Sequence, residues 1–550
     1  MLRLNVKMNS GFRDRATGRW VWLVAVLSGS NIGPGRVAET AADETGIVWG
    51  ETYDESAALT RHGVAEFKAD LHHPQPAVPP PTGTLTTAYD HAHNHYCLIA
   101  PGQPQLLVLP ADRSDRWEPV EPQPAGDRWR SVLADEAGGV WVAGKQELLR
   151  LNPLDPAAGW EDARGRAGFP DGAIEAIGLG PDGLLRVAVE PGLLVICTLA
   201  DERKPADYAW NVWTLMVAGQ PVTGAVSRVA TDRDGRLLVT AGGQEFASRP
   251  KADAWQNNWE LVARLPGSNH DLSGDLLGGD FYMAGGRTNA RGFPARLHDF
   301  AEVFRFTFDS ESRRGRWDVV TTLPHPLVHC GTSHVGGRLV VAGGDRIDAA
   351  GRRHEQAATW LVDPATGGVK EGPPLARPRP MPIALHVNGR VYVAGNPREE
   401  TDRPGQLESL GSGEESWRQE PDGPVGFGPL AGCALGDEIF LAVPHKYLAV
   451  FNTQTSTWRT VPVPRPPRSC QMAGYRGEVW LLGGRGVHNG REVQIFNPAT
   501  GRWRSGPDLP RELVWGCAAV VDGRLIVAGG AAGSCYSNRT WMLRESDADE

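Results

Sequence analysis

The sequence is poor in the features that would make it a disulfide scaffold, a membrane span or a helical array. Its cysteines are Cys97, Cys197, Cys330, Cys433, Cys470, Cys517 and Cys535, an odd and scattered set with no C-x-x-C pair. That excludes a disulfide framework or zinc knuckle as the organising device and leaves them as small buried strand residues. No long apolar run occurs. The stretch Trp20–Leu27, about eight residues, is short for a secretory segment and far too short to span a bilayer. A soluble, cytoplasmic protein without a membrane partner is expected. No segment keeps a 3.6-residue apolar period, which excludes helical repeats. Lysine is scarce, seven against 49 arginines, a bias that fits a GC-rich coding sequence. The net charge of −9 is mildly acidic and argues against a nucleic-acid partner. G-x-S-x-G, H-E-x-x-H and P-loop motifs are missing, and no cofactor is expected.

What the chain has in excess is glycine (67 of 550), proline (43) and tryptophan, whose 19 copies outnumber the 14 Phe and 9 Tyr. Collagen is excluded by the lack of a G-X-Y period. The tryptophans recur in one tract, a turn-flanked Trp followed by polar or β-branched residues and then Pro. It stands as DRWEPVEPQP at Trp117, NNWELVARLP at Trp259, GRWDVVTTLP at Trp317, STWRTVPVP at Trp458 and GRWRSGPDLP at Trp503. The tract returns about every 48 residues, a period in the range of propeller repeats. Between copies lie two apolar runs joined by D-G, G-G or N-G, as in Ala518–Gly530, His334–Gly344 and His386–Gly395. Such turns between β-rich runs are hairpin signals. Each unit therefore reads as four antiparallel strands, and the fold class is all-β, a β-propeller of about eleven blades.

The C-terminal half resembles the kelch-repeat family. The resemblance rests on Gly-Gly after the second strand and the aromatics that follow: Gly285-Gly286 with Phe306 and Trp317, Gly343-Gly344 with Trp360, Gly483-Gly484 with Phe496 and Trp503, and Gly529-Gly530 with Trp541. Two blades depart from it, at Gly395-Asn396 and Val443-Pro444. The N-terminal half is similar to the D-x-x-G-x-[VLI]-W blades of sensor-associated propellers.

The last unit ends in an acidic tail, 546–550, without a fourth strand, while Ala16–Leu27 has the Trp-strand pattern and no blade of its own. The expected organisation is an N-terminal segment, 1–36, whose strand closes the last blade, a five-bladed propeller over 37–265, and a six-bladed kelch-like propeller over 266–545. One eleven-bladed ring or a 4+7 split are the alternatives. The nineteen tryptophans are read chiefly as blade packing.

Kelch-type rings place the starts of the innermost strands around the channel mouth. Alignment on the turn glycines puts Asp271, His329, Met381, Pro429, Ser469 and Trp515 in equivalent places, with His270, Arg379, Phe427 and Arg468 beside them. His270, Asp271, His329, Arg379, Met381, Phe427, Arg468, Ser469 and Trp515 are the candidate ligand-binding residues for a small polar or anionic ligand. His91, His93 and His95 form the histidine cluster and, on one strand, would share a face as metal ligands do. Alignment with Asp135–Val140, however, puts His91 and His93 in a hairpin turn. The expected function is a non-catalytic scaffold whose loops and channel mouth bind a protein or small polar ligand. The alternative is a kelch-type enzyme, a sugar epimerase or mutarotase or a lyase, using His329, Arg379 and Arg468. Asn538-Arg-Thr540 is a glycosylation sequon only in a secreted chain.

Overall fold

A computed structural model describes most of residues 78–544, together with the strand segments Phe12–Arg13, Trp20–Val21 and Gly46–Trp49. The chain divides into two units, Met1–Ala41 and Ala42–Glu550. In the first, Phe12–Arg13 pairs antiparallel with Trp20–Val21.

The second unit is built from β-sheets, and no α-helix occurs among the described residues. Six four-stranded antiparallel sheets follow one another along the C-terminal half, with innermost strands Gly274–Leu277, Gly331–Val335, Ile383–Val387, Ala431–Leu435, Gln471–Tyr475 and Cys517–Val521. Each innermost strand lies beside the next, and Cys517–Val521 lies beside Gly274–Leu277, so the six form a closed cycle. Before them come the sheets Thr84–Pro119, Ser131–Asp162 and Ile174–Pro221, then a three-stranded sheet, Val226–Ala247. Of the unit expected from residue 37, the described strand Gly46–Trp49 pairs parallel with Tyr208–Val217. The molecule is a multi-blade β-propeller.

The predicted turns have the backbone their residues favour. Gly336-Gly337, Asn388-Gly389 and Asp522-Gly523 hold positive φ at both centres, from 49° to 77°. This is the primed turn that matches strand twist. The Gly-Gly pairs serve closure between sheets. A Cβ on Gly285 would lie 2.3 Å from the Leu327 carbonyl, and one on Gly286 2.2 Å from Asn269 Oδ1. With no side chain in the way, Gly286 N–H donates to Leu327 O of the second sheet at 2.9 Å, and Gly530 N–H donates to Asn269 O of the first at 2.8 Å.

The tryptophan surplus has a specific cause. In register, Phe306 faces Trp317, Phe451 faces Trp458 and Phe496 faces Trp503 across the two outer strands, with ring centroids 4.9–5.1 Å apart. The indole N–H then reaches the preceding sheet. Trp160 donates to Pro122 O (2.8 Å), Trp417 to Pro373 O (2.7 Å) and Trp458 to Pro421 O (2.9 Å). Phe offers a smaller ring and has no donor for that carbonyl. Trp and Pro recur together because they are hydrogen-bond partners between neighbouring sheets.

The closing strand is not the expected one. The fourth place in the last sheet is filled by Trp259–Arg264, which pairs antiparallel with Arg539–Leu543 from Trp259↔Leu543 to Arg264↔Arg539. A boundary at 265/266 cuts this strand from its sheet, and Trp20–Val21 pairs instead with Phe12–Arg13. Trp259, Val262 and Ala263 are buried, and Trp317 of the first sheet donates to Thr540 Oγ1 at 2.8 Å. A strand entering just before the first sheet reaches the last with almost no loop to order, whereas one from the chain start carries the closure cost of the whole sequence. Cys97, Cys197, Cys330, Cys433, Cys470 and Cys517 are free and buried, and burial pushes the Cys330, Cys470 and Cys517 thiols up to about 12. Asn538 and Thr540 of the sequon are buried.

Candidate functional site

The innermost strands begin, and the second strands end, at the same end of the ring. There the chain makes an extra backbone pairing in four of the six repeats: His270 with Arg287, Val328 with Asp345, Arg468 with Arg485 and Val514 with Ala531. The next residue of the incoming segment turns sharply. Asp271, His329, Ser469 and Trp515 hold φ of 63°, 59°, 59° and 57°. None is glycine, so each stores backbone strain. These are four of the six places matched by alignment. Met381 stays outside the left-handed set because Pro382 follows it and confines it to extended backbone. Pro429 lies outside the described residues.

These four residues are linked around the mouth. Trp515 N–H donates to Ser469 O at 3.1 Å, and Asp271 N–H to Trp515 O at 2.8 Å. The Asp271 carboxylate meets His329 Nε2 and His270 Nδ1, each at 3.0 Å. His329 Nδ1 lies 3.3 Å from Asp345 Oδ2, and Asp345 also meets Arg398 at 3.0 Å and Arg353 at 3.5 Å. Arg398 extends the network to Glu355 at 3.2 Å. Arg485 stands over the Trp515 ring, 4.5 Å from its centroid, and the His270 ring lies 6.0 Å from that of Trp515. Carboxylates, guanidinium groups and one indole thus meet on one face.

Burial alone would push His329 below the ordinary imidazole range, but Asp271 and then Asp345 outweigh it and hold the ring above that range. Burial would likewise raise Asp271, yet His329 and His270 keep it well below the usual carboxylate range. Both ring nitrogens of His329 thus face carboxylates, an arrangement that favours the protonated ring. A raised folded value means the contribution to stability is full below pH 6.5 and is lost as pH rises through the folded value. His329→Asn keeps a residue that tolerates φ near 59°. Its stability deficit against the natural chain should be largest near pH 6 and shrink toward pH 9, read from urea midpoints across that range.

Other candidates are placed elsewhere. Arg379 is fully buried, paired with Glu408, and donates to Val393 O at 2.7 Å and Gln406 O at 3.3 Å. It ties the third sheet together internally and offers no guanidinium to a guest. Phe427 is also fully buried, 5.6 Å from the Trp458 ring, in the core between the third and fourth sheets. Met381 is half-buried and the Arg468 side chain is exposed. The three residues of the enzyme alternative, His329, Arg379 and Arg468, thus have different surroundings. His91 and His93 lie outside the described residues. His95 opens the strand His95–Ile99 and packs 4.6 Å from the Tyr89 ring. Among the described residues no group of three or more His, Cys, Asp or Glu could hold a metal ion.

Alignment missed Asp345, Arg398, Arg353 and Arg485. The first and last directly follow a Gly-Gly pair. The residue after that pair faces the one just before the strained position across the extra pairing, so the signal was present in the motif itself.

No helix among the described residues is long and apolar enough to cross a membrane. The family described as "Protein of unknown function (DUF1668)" matches residues 295–467. Kelch-like protein 35 of Mus musculus is 24% identical over 52% of this chain and 48% of its own length. Kelch repeat and BTB domain-containing protein 12 of Danio rerio is 28% identical over 28% of this chain and 22% of its own. The chain thus spans half or less of the curated relatives it matches. A solved structure, that of YjhT, aligns at 15% identity with a TM-score of 0.43, covering 52% of this chain and 97% of that one. Gly-Gly signatures, a cycle of four-stranded sheets and kelch-named relatives agree: the C-terminal half of this chain is a β-propeller similar to the kelch-repeat proteins.

Proposed function

We propose that the C-terminal ring is a non-catalytic binding module that takes a protein partner across the face where its innermost strands begin. The observation carrying this reading is the run of strained positions at Asp271, His329, Ser469 and Trp515, with His329 tied through Asp345 to Arg398. Strain of this kind persists where the surroundings over-determine it, and it gathers at recognition sites. The chemistry of His329 supports binding over catalysis. Both its ring nitrogens face carboxylates, so it cannot move a proton to or from a guest without dismantling the network. Trp515 with Arg485 stacked on it has the composition of a binding anchor.

Affinity capture with the full chain, followed by titration calorimetry on the recovered partner, tests the reading. Trp515→Ala and Arg398→Ala should each weaken binding at least tenfold, about 1.4 kcal/mol or more, with unfolding midpoints close to those of the natural chain. Unchanged affinity in both variants would remove this face as the site. Saturable turnover of a small molecule, lost in the same variants, would replace the binding module with an enzyme.

A further inference from the structure

A second histidine cluster lies toward the other end of the innermost strands, where none of the residues above is found. His334 and His386 occupy the same register place in the second and third sheets, one residue before the final strand pair. The other sheets carry Leu276, Ala434, Gly474 and Val520 there. The two imidazoles stack, with centroids 4.0 Å apart and planes 29° from parallel. Each leans toward the preceding sheet: His386 onto His334, and His334 onto Asp275 of the first sheet, whose Oδ2 lies 3.2 Å from His334 Nδ1. Ser333 Oγ also donates to that carboxylate oxygen at 2.6 Å. The pair therefore contains one ring with a carboxylate partner and one ring whose neighbour is the other imidazole.

We propose that this stack is a proton-operated contact between the second and third sheets, held at neutral pH and released in acid. His334 is the ring of the pair with a carboxylate beside it, Asp275. A proton taken from solvent by His386 then places a charged ring face to face with His334, which opposes it, in a half-buried position where solvent screens poorly. The charged groups acting on His386 are few. Asp275 favours its protonation, while His334 opposes it. On the strands packed beside it, Arg390 is taken up by Glu414 and Glu438 by Arg459, and Cys433 on the fourth innermost strand is buried. Burial first, and then His334, hold His386 below the ordinary imidazole value. The unfolded chain therefore binds more protons than the fold here, and stability falls as pH drops below 6.5. This is opposite in sense to His329.

The fold itself supplies conservative replacements, since Leu and Ala already stand at this register in the first and fourth sheets. Thermal unfolding of the full chain at pH 7.5 and pH 5.0 should show a larger acid loss in the natural protein than in His386→Leu or His386→Ala, by about 3 °C in midpoint. His334→Leu should reduce the loss as well. His325, kept low by burial and Arg346, titrates alike in every variant, so the difference isolates the stack. Amide exchange in Ile383–Val387, corrected for its intrinsic pH dependence, should quicken at pH 5.0 in the natural chain and not in the variants. Parallel acid losses in all chains, with equal corrected exchange in that strand, would overturn the proposal.

Discussion

A fragment of residues 258–544 should unfold in one cooperative transition, whereas a fragment of residues 266–544 should lose cooperativity and bind the dye ANS. The eight residues between the two starts carry Trp259–Arg264. Removing them strips the outer strand from the last sheet and leaves Arg539–Leu543 as an open edge, which invites association with other chains. It also uncovers the apolar surface that Trp259 and Leu261 cover against the fifth sheet and Val262 against the first. At roughly 1.5–3 kcal/mol for each large apolar side chain returned to water, the loss is about 5 kcal/mol. That is comparable with the whole stability of an ordinary domain. Calorimetry and near-UV circular dichroism on the two fragments check it. A shorter fragment that melts as sharply and as high as the longer one would mean the ring does not depend on this strand.

The second large effect is expected at Arg379. Arg379→Ala should lower stability by about 3–5 kcal/mol, because it leaves the Glu408 carboxylate buried without its counter-charge. Glu408 retains the Ala376 N–H, at 3.1 Å, and the carbonyls of Val393 and Gln406 lose the guanidinium as a donor, while Gln406 O keeps the Gly395 N–H at 3.1 Å. The double change Arg379→Met with Glu408→Leu should recover most of the loss, since both charges then leave the core together. Urea unfolding of the two single variants and the double variant measures the coupling. Equal losses in Arg379→Ala and the double variant would show that volume rather than charge governs this place.

These two regions also show where reading the sequence ran out. Hairpin turns, Gly-Gly pairs and Trp tracts are local patterns, and each was legible because the residue type itself sets the backbone or the packing. The Trp259 tract was legible as an outer strand by the same pattern. Which sheet it completes was not, since every outer strand is written alike and the choice is made by closure between distant segments. Ala16–Leu27 has the same Trp-strand pattern and was the wrong choice. At the channel mouth, alignment on the turns found Asp271, His329, Ser469 and Trp515, whose places follow from strand register. It misplaced Arg379 and Phe427, because proximity in sequence does not tell whether a side chain turns toward the mouth or into the sheet. Asp345 was overlooked because an acidic residue after Gly-Gly reads as a loop residue until His329 and Arg398 are seen to converge on it.

The closing strand also decides how the ring answers to pulling. Trp259, where the strand enters, lies opposite Leu543, where the chain leaves. Tension between the N-terminal sheets and the C-terminus is therefore applied to neighbouring points at one end of a single antiparallel ladder. Its hydrogen bonds are loaded one after another rather than all at once, as in a zip drawn from its open end. A ring that heat must melt as a whole is thus hinged, under load, at the one junction where its two chain ends meet.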